Sequence, residues 1–371
     1  MADRHESMLN FARRYLIPGA ILQSVMIGGG YGTGREVVEY FSNYGTMGGF
    51  YSVLIAAVCI AIVFAVSLEI SCVFNVFDYR NFFKVFLGRF WFLYEILAIL
   101  LFLLIIAVIA SAAGQVLQAE LEIPSFMGTV VMLFSVVVLT FYGRDLVVLV
   151  LAYWSVFLYA VFIVYFIAVF SIFQDSFTGQ ASTTEPGWFT SGLQYAFYNM
   201  AGIPLILYAA RAIETRQQAL IAGIVGGVIA MIPALLLHVS FISQLPSILG
   251  AGLPVYEMFI RLDQDWLKIG YLIVLFGTFI ETGAGTIQGF VERFDGWWSD
   301  RTGDLLSPKI HATIAGAIVA LAGILSQVGI IDLIAKGYGT LAWGFMILYI
   351  IPLLTVGIWR LYVVDRDSPD G

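Results

Sequence analysis

Gly28-Gly29-Gly30-Tyr31-Gly32-Thr33-Gly34 lies inside the first apolar segment of the chain, between Leu16 and Tyr40. In a helix interior each glycine costs about 1 kcal/mol relative to alanine, so five of them in seven residues predict a break in the helix. In hydrocarbon the freed N–H and C=O groups find no water, so irregular backbone at membrane depth must be buried in protein or line a cavity. A glycine motif that serves helix packing needs a spacing of four, whereas this run is nearly continuous. The stretch is therefore the first candidate for a binding site.

Composition supports the membrane setting. Of 371 residues 60% are hydrophobic and only 12% charged, and the mean hydropathy of +0.93 is beyond what a soluble domain can bury. Cys59 and Cys72 fall in one apolar segment and read as small apolar fillers. His5, His238 and His311 show no metal-ligand spacing, and no nucleic-acid signature appears. No signal peptide is expected, so the first span is retained.

Working outward from the glycine run, the hydropathy pattern gives ten apolar segments: Leu16–Tyr40, Thr46–Val73, Phe90–Leu117, Pro124–Phe141, Leu146–Phe173, Trp188–Tyr208, Ala219–Ser240, Trp266–Phe290, Ile310–Leu325 and Tyr338–Trp359. With the N-terminus inside, all of the 18 Lys and Arg except Arg35, Arg261, Lys268 and Lys336 fall on the cytoplasmic side. Such a bias fits an even number of spans and two cytoplasmic termini. The sixth segment repeats the oddity of the first: Tyr198-Asn199-Met200-Ala201-Gly202-Ile203-Pro204 carries Gly and Pro in mid-segment. Broken segments five apart suggest two halves of five spans, inverted relative to each other, with a site where the breaks meet. The expected architecture is an all-α polytopic membrane protein. It is one transmembrane domain over 1–371, with a first repeat at about 15–173 and a second at about 188–360.

The residues of these breaks form the expected solute site. Segment one contributes Gly28, Gly29, Gly30, Tyr31, Gly32, Thr33 and Gly34, whose bare backbone N–H groups and helix dipole suit an anionic group. Segment six contributes Tyr195, Tyr198, Asn199, Gly202 and Ile203. Tyr153, Trp154 and Trp343 are further aromatics that would wall the pocket. In segment eight, Thr278, Glu281, Thr282, Gly285 and Gly289 recur at steps of three and four and share one helix face. A carboxylate there is expensive in hydrocarbon and must face the interior, holding a proton or a cation.

The stretch GGGYGTGRE, Gly28 to Glu36, is similar to the glycine–aromatic–small–Gly–polar–Glu motif of YkvI-like membrane proteins, permeases of the amino acid–polyamine–organocation superfamily with the LeuT-type fold. Where many relatives carry Gln, this chain has Arg35. GTMGGF, Gly45 to Phe50, resembles the Gly-rich turn after the first helix of sodium-coupled neurotransmitter-type transporters. Glu281-Thr282 through Gln288 resembles the hydroxyl pair followed by Gln in the sodium-coupled relatives. The resemblance implies either a Na+ site of Met26, Gly29, Thr278, Glu281 and Thr282, or Glu281 as a proton site. Segment five has no Lys to stand in for sodium. The resemblance also implies that Glu69 of segment two holds the unwound backbone of segment six. Arg35 would pair with Asp332 as an outer gate, or else Glu36 or Glu39 with Lys336. Glu95 is expected to snorkel to the cytoplasmic interface, and Arg211, Glu214 and Arg216 to face Arg13 and Arg14.

The expected function is Na+- or H+-coupled secondary transport of a small organic solute, an amino acid or related zwitterion, by alternating access in a bacterial inner (plasma) membrane. The alternative is a non-transporting ligand sensor or an ion channel on the same scaffold. Walker-type and covalent catalytic motifs are absent from the sequence, so enzyme chemistry is not expected. Beyond Na+ no cofactor is expected, and the partners are the solute and the lipid bilayer, with no nucleic acid.

Overall fold

The computed structural model describes residues 9–142 and 144–367, with side chains at 139–156, 300, 308 and 365–367 outside the description. The described residues form helices and connecting turns, with no strand among them. Each apolar segment read from the sequence coincides with helix. Segments two to five are Gly45–Val73, Phe92–Leu121, Ser125–Tyr142 and Arg144–Ile172. Segment seven is Arg216–Ile242 and segment nine Pro308–Leu325. Among the described residues, six helices are long and apolar enough to cross a membrane by length and composition. On the segment-two helix Leu54, Val58 and Ile62 stand exposed at a spacing of four, a strip suited to lipid. The protein is an integral membrane protein.

Segments one and six interrupt their α-helix, and segment ten carries π-helical stretches at Met346–Ile350 and Leu353–Gly357. The first helix runs from Ile17 to Met26, with Pro18 in its first turn, where the missing N–H costs nothing. Ile27 leaves the helical region (φ −78°, ψ 72°), and Gly28 is extended. A single turn, Gly29–Gly32, follows, and helix resumes at Arg35–Tyr40. Between the two, Gly34 is left-handed at φ 80°, a conformation open to glycine at no steric cost. In segment six the α-helix Trp188–Asn199 gives way to tighter 3-10 turns, Met200–Leu205 and Leu207–Ala212. Pro204 removes a backbone donor there. Thr215 then caps the next helix by accepting from the Gln218 N–H at 3.2 Å.

Small residues let the first, second and seventh segments cross closely. Gly227 lies against Ala61, where a Cβ would come within 2.6 Å of the alanine Cα. One turn away Gly223 lies against Ala65, and Gly19 of segment one crosses at Gly226. This is the small-xxx-small contact that brings helix backbones together in lipid. Segment eight runs well past the apolar stretch, from Asp265 to Thr302.

Candidate functional site

The glycine run is held from several sides. The Thr33 hydroxyl donates to the Gly30 carbonyl at 2.6 Å and accepts from the Arg35 N–H at 3.2 Å, which clamps the turn. The Thr33 carbonyl accepts from Val255 N–H at 2.9 Å. The Tyr271 hydroxyl donates to the Gly32 carbonyl at 3.2 Å. Gly34 is pressed by Phe241 and Val255, either of which would come within 2.7 Å of a Cβ there. Thr33 and Gly34 thus shape the break.

Two residues past the run, Glu36 turns into the protein and is 5% exposed. One carboxylate oxygen accepts from the Tyr198 hydroxyl of segment six. The other lies against Gly30, in the space that a Cβ at Gly30 would fill. Tyr31, Tyr40, Tyr195 and Tyr338 stand within electrostatic reach of the same carboxylate. Tyr195 meets Tyr198 edge-on at 5.6 Å between ring centroids, and Tyr198 stacks on Tyr338 at 4.9 Å. The hydroxyls of Tyr31 and Tyr195 are buried with no hydrogen-bond partner among the described residues.

Tyr31, Tyr195 and Tyr198, expected from the sequence, are therefore brought together around Glu36. Asn199 is turned onto its own helix, donating to the Tyr195 carbonyl at 3.0 Å. Ile203 is fully buried, and Gly202 is packed on Val25. Trp343 sits on the outside, 38% exposed, with an edge contact to Phe197. Tyr153 and Trp154 lie outside the described side chains. Tyr40 and Tyr338 were not singled out in the sequence. Tyr40 had a signal, its position one helical turn beyond Glu36.

In segment eight Thr282 reaches the break: its methyl would lie 3.7 Å from a Cβ on Gly28. Thr278 bonds back to the Val274 carbonyl at 2.9 Å. The Met26 carbonyl accepts from Gly28 N–H at 2.9 Å. Glu281 is partly buried, with no hydrogen bond or ion pair among the described residues. A Cβ at Gly285, one turn on from Glu281, would meet open space.

The charged pairs differ from expectation. Arg35 and Asp332 do not meet. Arg35 pairs with Glu39 at 2.6 Å and donates to the carbonyls of Leu249 and Ala251 at 2.8 and 3.0 Å, while Asp332 pairs with Lys336 at 2.9 Å. The reason is local, since each charge finds its opposite one turn along its own helix. Lys336 is thereby taken by Asp332, and Glu36 is turned to Tyr198. Glu69 stands 3.6 Å from Arg216 at the start of segment seven. In segment six the hydroxyl of Tyr94 donates to the Ala201 carbonyl at 2.9 Å. Glu95 is half-buried and pairs with the buried Arg293 at 3.0 Å, because segment eight continues far enough to deliver that arginine. Arg14 pairs with Glu214 at 2.5 Å, which joins the approach to segment one to the exit of segment six.

No protein-family profile matches the chain. It is 23% identical over 331 residues to the uncharacterized membrane protein YkvI of Bacillus subtilis (strain 168), covering 84% of this chain and 88% of that one. The chain is a homologue of YkvI. A solved structure of a Na+-coupled sialic acid symporter, in a substrate-bound outward-open state, superposes with a TM-score of 0.51 at 14% identity, over 93% of this chain and 87% of the symporter. The YkvI homologue thus has the fold of that symporter. Both are membrane proteins.

Proposed function

We propose that this YkvI homologue is a cation-coupled secondary transporter of a small organic solute, an amino acid or related zwitterion, working by alternating access. In this reading ten helices form two inverted halves of five. Segments one and six are unwound midway through the bilayer, and both termini are cytoplasmic at a bacterial inner membrane. The observation that carries it is the meeting of the two interrupted segments, where Tyr198 of segment six bonds Glu36 just beyond the glycine break. The fold shared with a Na+-coupled symporter supports the same reading. Broken helices that face each other are how such transporters expose backbone to cargo.

The solute carboxylate would lie against the first half of the glycine run, and Na+ or H+ would be carried at segment eight. There Thr282 adjoins Gly28, and Glu281 has no resident partner among the described residues. Occupation of that site would draw segment one onto segment eight and so bias the outward or inward state.

The test is counterflow and gradient-driven uptake of amino acids in proteoliposomes, with an imposed Na+ or pH gradient. Accumulation should require one of the two gradients, and Glu281→Gln should abolish the requirement or the uptake. If Glu281→Gln keeps full, cation-dependent flux, the coupling site is elsewhere. If conductance does not saturate with solute, a channel replaces the transporter.

A further inference from the structure

We propose that Glu36, with the hydroxyls of Tyr31 and Tyr195, seats the ammonium group of the solute. This rests on the transporter reading and names the charge that its cargo must carry.

Glu36 is a buried carboxylate that no cationic side chain pairs with among the described residues. Its neighbour Arg35 is spent on Glu39 and two loop carbonyls. The contrast with Glu95 is direct: that acid, half-buried, has Arg293 beside it. A carboxylate taken out of water without a counter-charge is unfavourable, and the imbalance is removed when a cation arrives. Here the protein supplies none among the described residues, so an ionised Glu36 takes its counter-charge from a ligand.

The atoms around Glu36 fit an ammonium group. Tyr198 occupies one carboxylate oxygen, and the other has no hydrogen-bond partner among the described residues. Gly30, lacking a side chain, gives that second oxygen its room, with a methyl of Val108 alongside. The Tyr31 and Tyr195 hydroxyls are buried and unpartnered among the described residues. A primary ammonium brings three N–H donors, and three oxygens stand unclaimed. The remaining wall is tyrosine rings, from Tyr40, Tyr195, Tyr198 and Tyr338. Aromatic rings attract an organic cation, whereas a metal ion would want a fuller shell of oxygens. An organic anion would meet Glu36 as a like charge.

The experiment uses the full chain in detergent and matched ligand sets of one skeleton: alanine, ethylamine and propionate; leucine, isoamylamine and 4-methylpentanoate; phenylalanine, phenethylamine and 3-phenylpropionate. Binding is read by calorimetry and thermal shift, with and without Na+. At least one amino acid or amine should bind saturably while its acid partner does not. Glu36→Gln should weaken that binding at least about tenfold, the scale of a lost hydrogen bond to a charged group. The double variant Tyr31→Phe/Tyr195→Phe keeps Glu36 and the rings, and should weaken it at least about threefold. That variant decides the matter if Glu36→Gln does not fold.

The proposal is overturned if the acids bind as well as the amines, if both variants bind within twofold of wild type, or if Na+ alone reproduces the shift. Absence of binding by every ammonium-bearing probe overturns it as well. Flux separates it from the reading beneath it. Uptake that is indifferent to the amino group sinks the ammonium seat and spares the transporter. Binding that depends on Glu36, with no uptake in proteoliposomes, does the reverse.

Discussion

The hydroxyl of Tyr94 donates to the carbonyl of Ala201 at 2.9 Å, so that segment three holds the 3-10 run of segment six. The Tyr94 ring is fully buried and stacks on Phe83 at 3.8 Å between centroids. Tyr94→Phe keeps the ring and orphans the carbonyl. An unsatisfied buried acceptor costs about 1–3 kcal/mol, so the variant should lower the thermal midpoint in detergent. Uptake should fall as well, since the shape of segment six is no longer held. A variant with wild-type stability would mean that Ala201 finds water or another donor.

Arg35 reads as the tie between segment one and the loop before Pro254. Its guanidinium is almost fully buried and binds Glu39 and the Leu249 and Ala251 carbonyls. In a background of Cys59→Ser and Cys72→Ser, a cysteine placed at the fully buried Val255 should be labelled slowly by a membrane-impermeant maleimide. Arg35→Gln should speed that labelling severalfold. Asp332→Asn should leave it unchanged, because the exposed Asp332–Lys336 pair contributes little. Equal effects of the two variants would restore Asp332 as the partner of Arg35.

How much of this was legible in the sequence divides along a physical line. The segments and the two breaks could be read because hydropathy and the Gly and Pro positions are properties of the chain itself. The end of segment eight could not. Glu292, Arg293 and Asp295 make its last turns polar, so the apolar pattern stops while the helix continues to Thr302. Ion-pair partners were not legible either, because they depend on how each helix is rotated. Arg35, Glu36 and Glu39 look alike as a charged cluster in the sequence. In the fold Arg35 and Glu39 pair with each other, and Glu36 enters the protein with no basic partner among the described residues. Burial without a basic partner is what sets Glu36 apart, and no spacing announces it.

Gly34 and Gly285 give opposite expectations for the same change. Gly34 sits at φ 80°, with Phe241 and Val255 against the place of a Cβ. For an alanine the left-handed conformation alone costs about 1–2 kcal/mol, and the crowding adds to it. Gly285 is in a helix with open space beside it. Alanine there should stabilise by up to about 1 kcal/mol. Thermal midpoints of Gly34→Ala and Gly285→Ala should therefore move down and up from wild type. A neutral Gly34→Ala would show that the turn can be rebuilt without its left-handed residue.

Glu95 and Glu36 should also respond in opposite directions when their charge is removed. Glu95→Gln leaves Arg293 buried without its counter-charge, and breaking one side of a buried pair costs about 3–5 kcal/mol. The double variant Glu95→Leu/Arg293→Met should recover most of that, because an apolar pair of similar bulk leaves nothing unpaired. Glu36 has no such partner to strand. Glu36→Gln removes a lone buried carboxylate, so without solute its thermal midpoint should stay level or rise. The stabilisation that an ammonium-bearing solute gives the wild-type protein should be missing from this variant. Unfolding curves of the four proteins, with and without solute, read both effects together. If Glu36→Gln is as damaging as Glu95→Gln in the absence of solute, then Glu36 is a structural anchor for Tyr198 and the charge it holds serves the fold.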